Sequence, residues 1–212
     1  MNNKVVLFDL DGTLVNTDLL IIRSFINLFD KYRPDYKLTL KEILSFLGPT
    51  LKETFSKYFK EDFSIILKEY RDYFNKFFSR YICLYDGVEE MLENFKNNGI
   101  KMGIVTNRFR NSAYDIIAPF DIEKYFSVII GLEDMEEGKP SPDGINKALA
   151  LLNVNKEDVI YVGDNKSDFE AAKNAEVKTA LISWSIGKDN SLLNPDYLIN
   201  SYNEFAKEIL YD

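Results

Sequence analysis

Four short polar segments hold the residues of this sequence that are best suited to catalysis. Each one lies beyond the carboxyl end of a predicted buried strand. The segments are Asp9-Leu10-Asp11-Gly12-Thr13, Thr106-Asn107-Arg108, Gly138-Lys139-Pro140 and Gly163-Asp164-Asn165-Lys166-Ser167-Asp168. The chain contains no histidine, which excludes a Ser-His-Asp triad, a phosphohistidine intermediate and a histidine-ligated zinc. The chemistry that remains uses carboxylates, lysine, hydroxyl groups and a bound cation.

Two pairs of aspartates stand out by their spacing. Asp9 and Asp11 follow a buried strand two residues apart, so both side chains are expected on the same side of the strand. Asp164 and Asp168 are four apart where a strand turns into a helix. Taken singly, each segment has an ordinary structural interpretation as a turn, a helix start or a solvated lysine. Their shared place at the carboxyl edge of one sheet, where ligands bind, favours a single site.

The elements that would position these segments alternate along the chain. Strands are predicted at residues 5–8, 102–105, 127–130, 159–162 and 179–182, with helices between them, such as 87–98 and 141–152. In the second of these helices, Ser141 is expected as the cap and Pro142 as the first helical residue. The alternation predicts an α/β protein with a Rossmann-like parallel sheet and helices on both faces.

No strand pattern occurs between residues 15 and 81. Thr39 and Thr50 are each followed three residues later by a glutamate, Glu42 and Glu53, which is the pattern of a capping box. Aromatic residues recur at helical spacing, most densely from Phe63 to Phe78. The sequence therefore predicts a small α-helical bundle of residues 15–81, inserted into a core domain of residues 1–14 and 82–212.

Composition narrows the possible partners. The chain has 212 residues and a net charge of −8, which gives little support to a nucleic-acid partner. No apolar run reaches the 18 or so residues of a membrane helix, and we expect a cytoplasmic protein without a membrane partner. A cysteine phosphatase needs an arginine six residues after its nucleophile, but Glu89 stands there relative to Cys83, the single cysteine.

The four segments, in this order and with a helical insertion after the first, resemble the haloacid dehalogenase superfamily in its phosphatase branch. The resemblance covers essentially the whole chain, and the group it most resembles is that of phosphoglycolate phosphatases and PpaX-type pyrophosphatases. The features shared with that group are Asn16-Thr17, Phe46-Leu47-Gly48-Pro49, and Lys173-Asn174-Ala175 followed by Lys178-Thr179-Ala180. It implies a hydrolase that acts on a small phosphorylated metabolite, with the helical insertion as a cap.

The resemblance also implies roles for the two aspartates of the first segment. Asp9 would be the nucleophile and form an aspartyl-phosphate. Asp11 would act first as general acid and then as general base. Dehalogenases of the superfamily lack this second aspartate, so its presence favours phosphoryl transfer.

The remaining site residues follow from the same resemblance. Mg²⁺ would bind Asp9, the backbone carbonyl of Asp11 and Asp164, since hard oxygen ligands suit this ion. Lys139 would contact the phosphate and the nucleophile, and Asp168 would support Lys139 or a metal-bound water. The Thr106 hydroxyl and the Asn107 backbone N–H would complete the phosphate cradle.

Two residues are less settled by the sequence. Arg108 follows the phosphate-binding pair and can bind a second anionic group of the substrate, lie on the surface, or pair with the cap. Glu176 stands where related chains commonly have glycine, at a position that often needs a left-handed backbone, which would cost about 1 kcal/mol.

Three functions fit these residues in different degrees. The leading one is a Mg²⁺-dependent phosphatase, with phosphoglycolate or inorganic pyrophosphate as the first candidate substrates. A mutase resembling β-phosphoglucomutase shares the cap and motifs, although Thr13 is typical of the phosphatases where mutases tend to have valine. A regulatory or binding protein that retained the fold is the non-enzymatic alternative. The sequence leaves open a monomer or a homodimer.

Overall fold

Two compact units form the protein, as seen in a computed structural model that describes residues 4–186, 190 and 192–211. One unit comprises Met1–Val15 and Leu84–Asp212, and the other comprises Asn16–Cys83. The boundaries expected from the sequence, after residues 14 and 81, lie close to these. Residues 1–3, 187–189, 191 and 212 belong to the predicted core domain but lie outside the described residues.

The larger unit is built on a parallel sheet. The strands in the described part of the chain are β1 (Val5–Phe8), β2 (Val15–Asn16), β3 (Cys83–Leu84), β4 (Lys101–Val105), β5 (Val128–Ile130), β6 (Val159–Gly163), β7 (Lys178–Ile182) and β8 (Tyr197–Ile199). Six of these form one sheet in the order β5-β4-β1-β6-β7-β8, and every adjacent pair is parallel. β2 pairs with β3 where the chain passes between the two units.

Helices of the larger unit cover both faces of this sheet. The helices of the described residues are α1 (Asp18–Tyr32), α2 (Leu40–Leu44), α3 (Leu51–Tyr58), α4 (Phe63–Tyr81), α5 (Val88–Asn97), α6 (Arg110–Ile117), α7 (Asp143–Leu152), α8 (Lys166–Asn174) and α9 (Tyr202–Tyr211). Val5 and Leu7 of β1 pack in one core with Ile145 of α7. Val6 and Phe8 alternate to the opposite face and are equally buried, which fits a central strand enclosed on both sides. None of these helices is long and apolar enough to cross a membrane.

The predicted α/β architecture is confirmed, with corrections at particular elements. The five predicted strands are all present. β8 and the two-residue strands β2 and β3 were not predicted, and runs of two residues carry no measurable periodicity. α7 begins at Asp143 rather than at Ser141, and Pro142 is its N-cap residue instead of its first helical residue.

The smaller unit is a four-helix arrangement around a core of aromatic rings, in the described residues of α1 to α4. Phe25 of α1 stacks on Phe46 with ring centroids 4.5 Å apart, and it also contacts Tyr70 of α4 at 5.2 Å. The two predicted capping boxes start α2 and α3. The aromatic stripe predicted on α4 is only partly buried, since Tyr70 and Phe74 lie in the core but Phe63 is 41% exposed.

Glu176 adopts the left-handed backbone expected of it, with φ 58°. It follows α8 and leads into β7, a place where glycine would meet no steric penalty. Its carboxylate pairs with Lys156 at 2.5 Å on the surface, and this pair is too exposed to offset much of the backbone strain.

Replacing Glu176 by glycine is therefore expected to stabilise the protein. The relief of strain exceeds the extra backbone entropy of glycine, so Glu176→Gly should raise Tm by about 1–3 °C. Glu176→Gln is the matched control, because it removes the ion pair with Lys156 and keeps the strained backbone. A Tm for Glu176→Gly at or below that of Glu176→Gln would show that the left-handed backbone carries no net strain.

Candidate active site

Three neighbouring strands bring three of the four predicted segments to one edge of the sheet. β4, β1 and β6 are adjacent and parallel, so the residues that follow them come close together. Those residues are Thr106 after β4, Asp9 after β1 and Asp164 after β6. All three are buried, which places their polar groups where the surrounding water is largely excluded.

Lys139 connects the segments. Its Nζ lies 2.5 Å from Asp9 Oδ1 and 2.6 Å from Asp168 Oδ1, and it also donates to the Tyr161 hydroxyl at 3.1 Å. The side chains of Lys139 and Asp168 are 4% and 0% exposed. One buried ammonium group therefore binds two buried carboxylates, and it places the predicted nucleophile against the predicted phosphate-binding lysine.

The turn that contains Lys139 is fixed by Asn107. The Lys139 N–H donates to Asn107 Oδ1 at 2.8 Å, and Asn107 Nδ2 donates to the Lys139 carbonyl at 3.2 Å. A Cβ atom at Gly138 would lie 2.6 Å from Asn107 Oδ1, so the turn needs glycine beside the lysine. The Asn107 side chain thus has a positioning contact in addition to the backbone role predicted for this residue.

Asp168 is held at the start of α8. Its Oδ2 accepts the backbone N–H groups of Asp164 and Asn165 at 3.1 and 3.2 Å. A Cβ atom at Gly163 would lie 2.2 Å from the Asp168 Cβ, which explains the glycine before Asp164. Since Asp168 uses one oxygen for these N–H groups and the other for Lys139, it is placed to support the lysine.

Burial dominates the electrostatics of Asp9. It raises the pKa of the Asp9 carboxyl to about 7, the charges of Asp168 and Asp11 add to the rise, and Lys139 opposes it. Burial alone would lower the pKa of Lys139, but Asp168 and Asp9 outweigh it and hold that pKa well above its ordinary value. The lysine therefore remains charged, whereas the ionised form of Asp9 needs further positive charge nearby.

The carboxylates fit a divalent cation. Oxygens of Asp9, Asp164 and Asp168 lie within 4.8 Å of one another, and all three residues are buried. In the described part of the chain, Lys139 pairs with Asp9 and Asp168, and carboxylate oxygens clustered in this way are ligands that suit a divalent cation. Because Asp168 is committed to Lys139 and backbone N–H groups, Asp9 and Asp164 are the better placed ligands of the three.

Asp11 and Arg108 form a second ion pair at the site. Arg108 Nε donates to Asp11 Oδ2 at 2.9 Å and Arg108 Nη2 donates to Asp11 Oδ1 at 2.7 Å. The Arg108 backbone N–H also donates to the Thr106 hydroxyl at 3.2 Å. Pairing with Asp11 was not among the alternatives left open by the sequence, and it places the Arg108 side chain against the residue predicted as acid and base.

Tyr161 is a site residue that was not predicted from the sequence. It lies in the interior of β6, and its hydroxyl donates to the Val105 carbonyl at 2.9 Å and accepts from Lys139. Burial raises the pKa of Tyr161 well above its ordinary value, so the phenol keeps its proton. The available signal was a single tyrosine in an otherwise aliphatic buried strand, where a hydroxyl needs a partner.

The comparison with known families agrees with this geometry. A family model for haloacid dehalogenase-like hydrolases matches residues 6–182. The chain belongs to this family. Membership identifies the protein as a hydrolase.

Individual relatives of this family member cover nearly the whole chain. It is 38% identical over 208 residues to the pyrophosphatase PpaX of Listeria monocytogenes serotype 4b, covering 96% of both chains. Among solved structures, a haloacid dehalogenase-like hydrolase of Streptococcus pneumoniae has a TM-score of 0.82 and 26% identity, over 98% of this chain and 99% of the other. A predicted phosphatase of Clostridium acetobutylicum has a TM-score of 0.76 and 28% identity, over 99% of each chain.

Removing the Tyr161 hydroxyl is expected to cost both stability and hydrolase activity. Tyr161→Phe leaves the buried Val105 carbonyl without its donor and lowers the free energy of unfolding by about 1–2 kcal/mol. It also frees Lys139 to move, so kcat should fall by about tenfold, as for a loosened charged contact.

Tyr202→Phe is the matched control, since the Tyr202 hydroxyl is buried and donates to the Thr13 carbonyl at 2.7 Å. Urea denaturation should show a similar loss of stability for both variants, and steady-state kinetics a lower kcat for Tyr161→Phe alone. An equal effect of the two variants on kcat would show that Tyr161 acts through stability only.

Proposed function

We propose that the protein is a Mg²⁺-dependent hydrolase of a small phosphorylated metabolite, with inorganic pyrophosphate and phosphoglycolate as the first candidate substrates. The observation that carries this proposal is the buried Lys139, which binds Asp9 while Asp164 lies beside them. Similarity to the PpaX pyrophosphatase supports pyrophosphate. The motifs shared with phosphoglycolate phosphatases support the second substrate.

In the first chemical step, a carboxylate oxygen of Asp9 attacks the phosphorus atom. The bond between phosphorus and the leaving oxygen breaks, and Asp11 donates a proton to that oxygen. Asp9 then carries the phosphoryl group as an acyl phosphate. In the second step Asp11 takes a proton from water, the water oxygen attacks phosphorus, and the bond to Asp9 breaks. This releases phosphate and restores both aspartates.

The neighbouring groups stabilise the transferring phosphoryl group. Lys139 contacts Asp9 and supplies positive charge to the phosphoryl oxygens, while Asp168 keeps the ammonium group in place. The Thr106 hydroxyl and the Asn107 backbone N–H complete the cradle. Donors that are fixed before the reaction cost no reorganisation when charge develops.

Mg²⁺ would be held by carboxylate oxygens of Asp9 and Asp164 and by the backbone carbonyl of Asp11, with water filling the other positions. When bound, the ion neutralises charge on the carboxylates and on the phosphoryl group. The cluster of buried carboxylate oxygens from Asp9 and Asp164 is the structural support for this assignment.

The helical unit of Asn16–Cys83 is the cap in this proposal, and its loops would limit the size of the substrate and exclude water. The substrate is a small metabolite, and the net charge of −8 disfavours nucleic acid as a partner. The proposal places the enzyme in the cytoplasm, as a monomer or a homodimer and without a membrane partner.

Two rival functions make different predictions for the same assay. A β-phosphoglucomutase-like mutase would convert a sugar phosphate to its isomer and release little phosphate. A regulatory protein would release phosphate from no substrate, although the complete set of Asp9, Asp11, Lys139 and Asp164 is then unexplained.

Phosphate release from pyrophosphate and phosphoglycolate tests the proposal. With Mg²⁺ both or one of them should be hydrolysed, EDTA should abolish turnover, and Asp9→Asn should lower kcat by about a thousandfold or more because the nucleophile is lost. Asp115→Asn is the matched control, since Asp115 is exposed on α6. Turnover that survived in Asp9→Asn, or that persisted in EDTA, would overturn the proposed mechanism.

A further inference from the structure

The side chain of Arg108 binds the residue that must reach the leaving group. Its guanidinium contacts both oxygens of Asp11, at 2.9 and 2.7 Å, and its Nη1 donates to the Ser112 hydroxyl at 3.0 Å. Ser112 lies in the first turn of α6, so the helix that follows the second segment helps to aim the arginine. A guanidinium group that binds a carboxylate through two N–H groups can bind a phosphate in the same way.

This ion pair is more accessible than the one beside it. The side chains of Arg108 and Asp11 are 14% and 21% exposed, whereas those of Lys139 and Asp9 are 4% and 6% exposed. Lys139 is held by two carboxylates and a hydroxyl in the interior. Of these two cations, Arg108 is therefore the one that an incoming substrate can bind without dismantling the core of the site.

We infer that Arg108 selects substrates that have a second anionic group on the leaving side. This anion replaces Asp11 as the partner of the Arg108 guanidinium. The inference rests on the proposed function, in which Asp11 donates a proton to the leaving oxygen. Any group within hydrogen-bond reach of Asp11 lies beside Arg108, because the two side chains are in contact. A phosphate or carboxylate there would bind the guanidinium and release Asp11, whose carboxylate then takes up a proton from water, because the guanidinium no longer stabilises its charged form, and can donate it to the leaving oxygen.

The charges of the site point the same way. The carboxylates of Asp9, Asp11, Asp164 and Asp168 give the site negative charge, so a second anion would be repelled there unless a cation met it. A substrate with an uncharged leaving group offers nothing in exchange for Asp11, so the Arg108–Asp11 pair would stay closed. The pair thus favours substrates with a second anionic group, and it slows the hydrolysis of phosphate monoesters that lack one.

Two substrates that differ in one charge test this inference. They are phosphoglycolate and 2-hydroxyethyl phosphate, in which an uncharged hydroxymethyl group replaces the carboxylate. Inorganic pyrophosphate serves as another substrate with a second anionic group, and p-nitrophenyl phosphate as another substrate without one. We would measure kcat/KM for all four with Mg²⁺ in the wild type, Arg108→Gln and Arg110→Gln. Arg110 is the matched control, since it is 45% exposed and binds Asp134 at 2.7 Å.

The wild type should have a higher kcat/KM for at least one substrate with a second anionic group than for both 2-hydroxyethyl phosphate and p-nitrophenyl phosphate. Arg108→Gln should lower this preference by about 30-fold or more, the usual cost of losing one partner of a charged contact, and Arg110→Gln should keep it within about twofold. An equal loss for all four substrates in Arg108→Gln, or a wild type without the preference, would overturn the inference and leave the hydrolase proposal intact. Failure of the wild type to release phosphate from any of the four would instead overturn the proposed function.

Discussion

A buried ion pair between Lys139 and the carboxylates of Asp9 and Asp168 holds the site together. Removing a lysine and two carboxylates from water costs several kcal/mol for each ion, and the attraction between them offsets this only when the geometry is good and the remaining polar atoms have partners. The structure meets that condition through three strands whose carboxyl ends meet. The sheet thus fixes the distances between these charged groups, and their attraction at these short distances offsets the cost of burial.

Tyr161 and Gly163, which had no role assigned from the sequence, serve this one contact, and so does the side chain of Asn107. Tyr161 accepts from the ammonium group, Asn107 binds both backbone polar groups of Lys139, and Gly163 leaves the space that Asp168 fills. Tyr161 and Asn107 each join parts of the chain that are far apart in the sequence. A site assembled in this way is preorganised, because the groups proposed to meet the phosphoryl oxygens are already fixed by contacts within the protein.

Local patterns in the sequence predicted five strands of the sheet and the two capping boxes, because strand burial and Thr-x-x-Glu spacing act within a few residues. They also singled out Asp9, Asp164, Asp168 and Lys139 as candidate site residues, and the structure brings these side chains together. The Arg108–Asp11 pair joins residues 97 positions apart, and the Tyr161 contact depends on Val105 in a strand two places away. Such contacts are set by the packing of side chains across the sheet, which no local pattern reports. β8 escaped prediction because its short run of Tyr197, Leu198 and Ile199 lies between Asp196 and Asn200 and lacks the β-branched pairs of the predicted strands.

The proposed mechanism requires Asp9 to carry the phosphoryl group during turnover. The decisive measurement is to quench the enzyme with acid while it turns over ³²P-labelled pyrophosphate with Mg²⁺, and then to measure label bound to the protein. We expect label that hydroxylamine removes, as is typical of an acyl phosphate, in the peptide that contains Asp9, and none in Asp9→Asn. Steady turnover without bound label, or label that persists in Asp9→Asn, would contradict this mechanism.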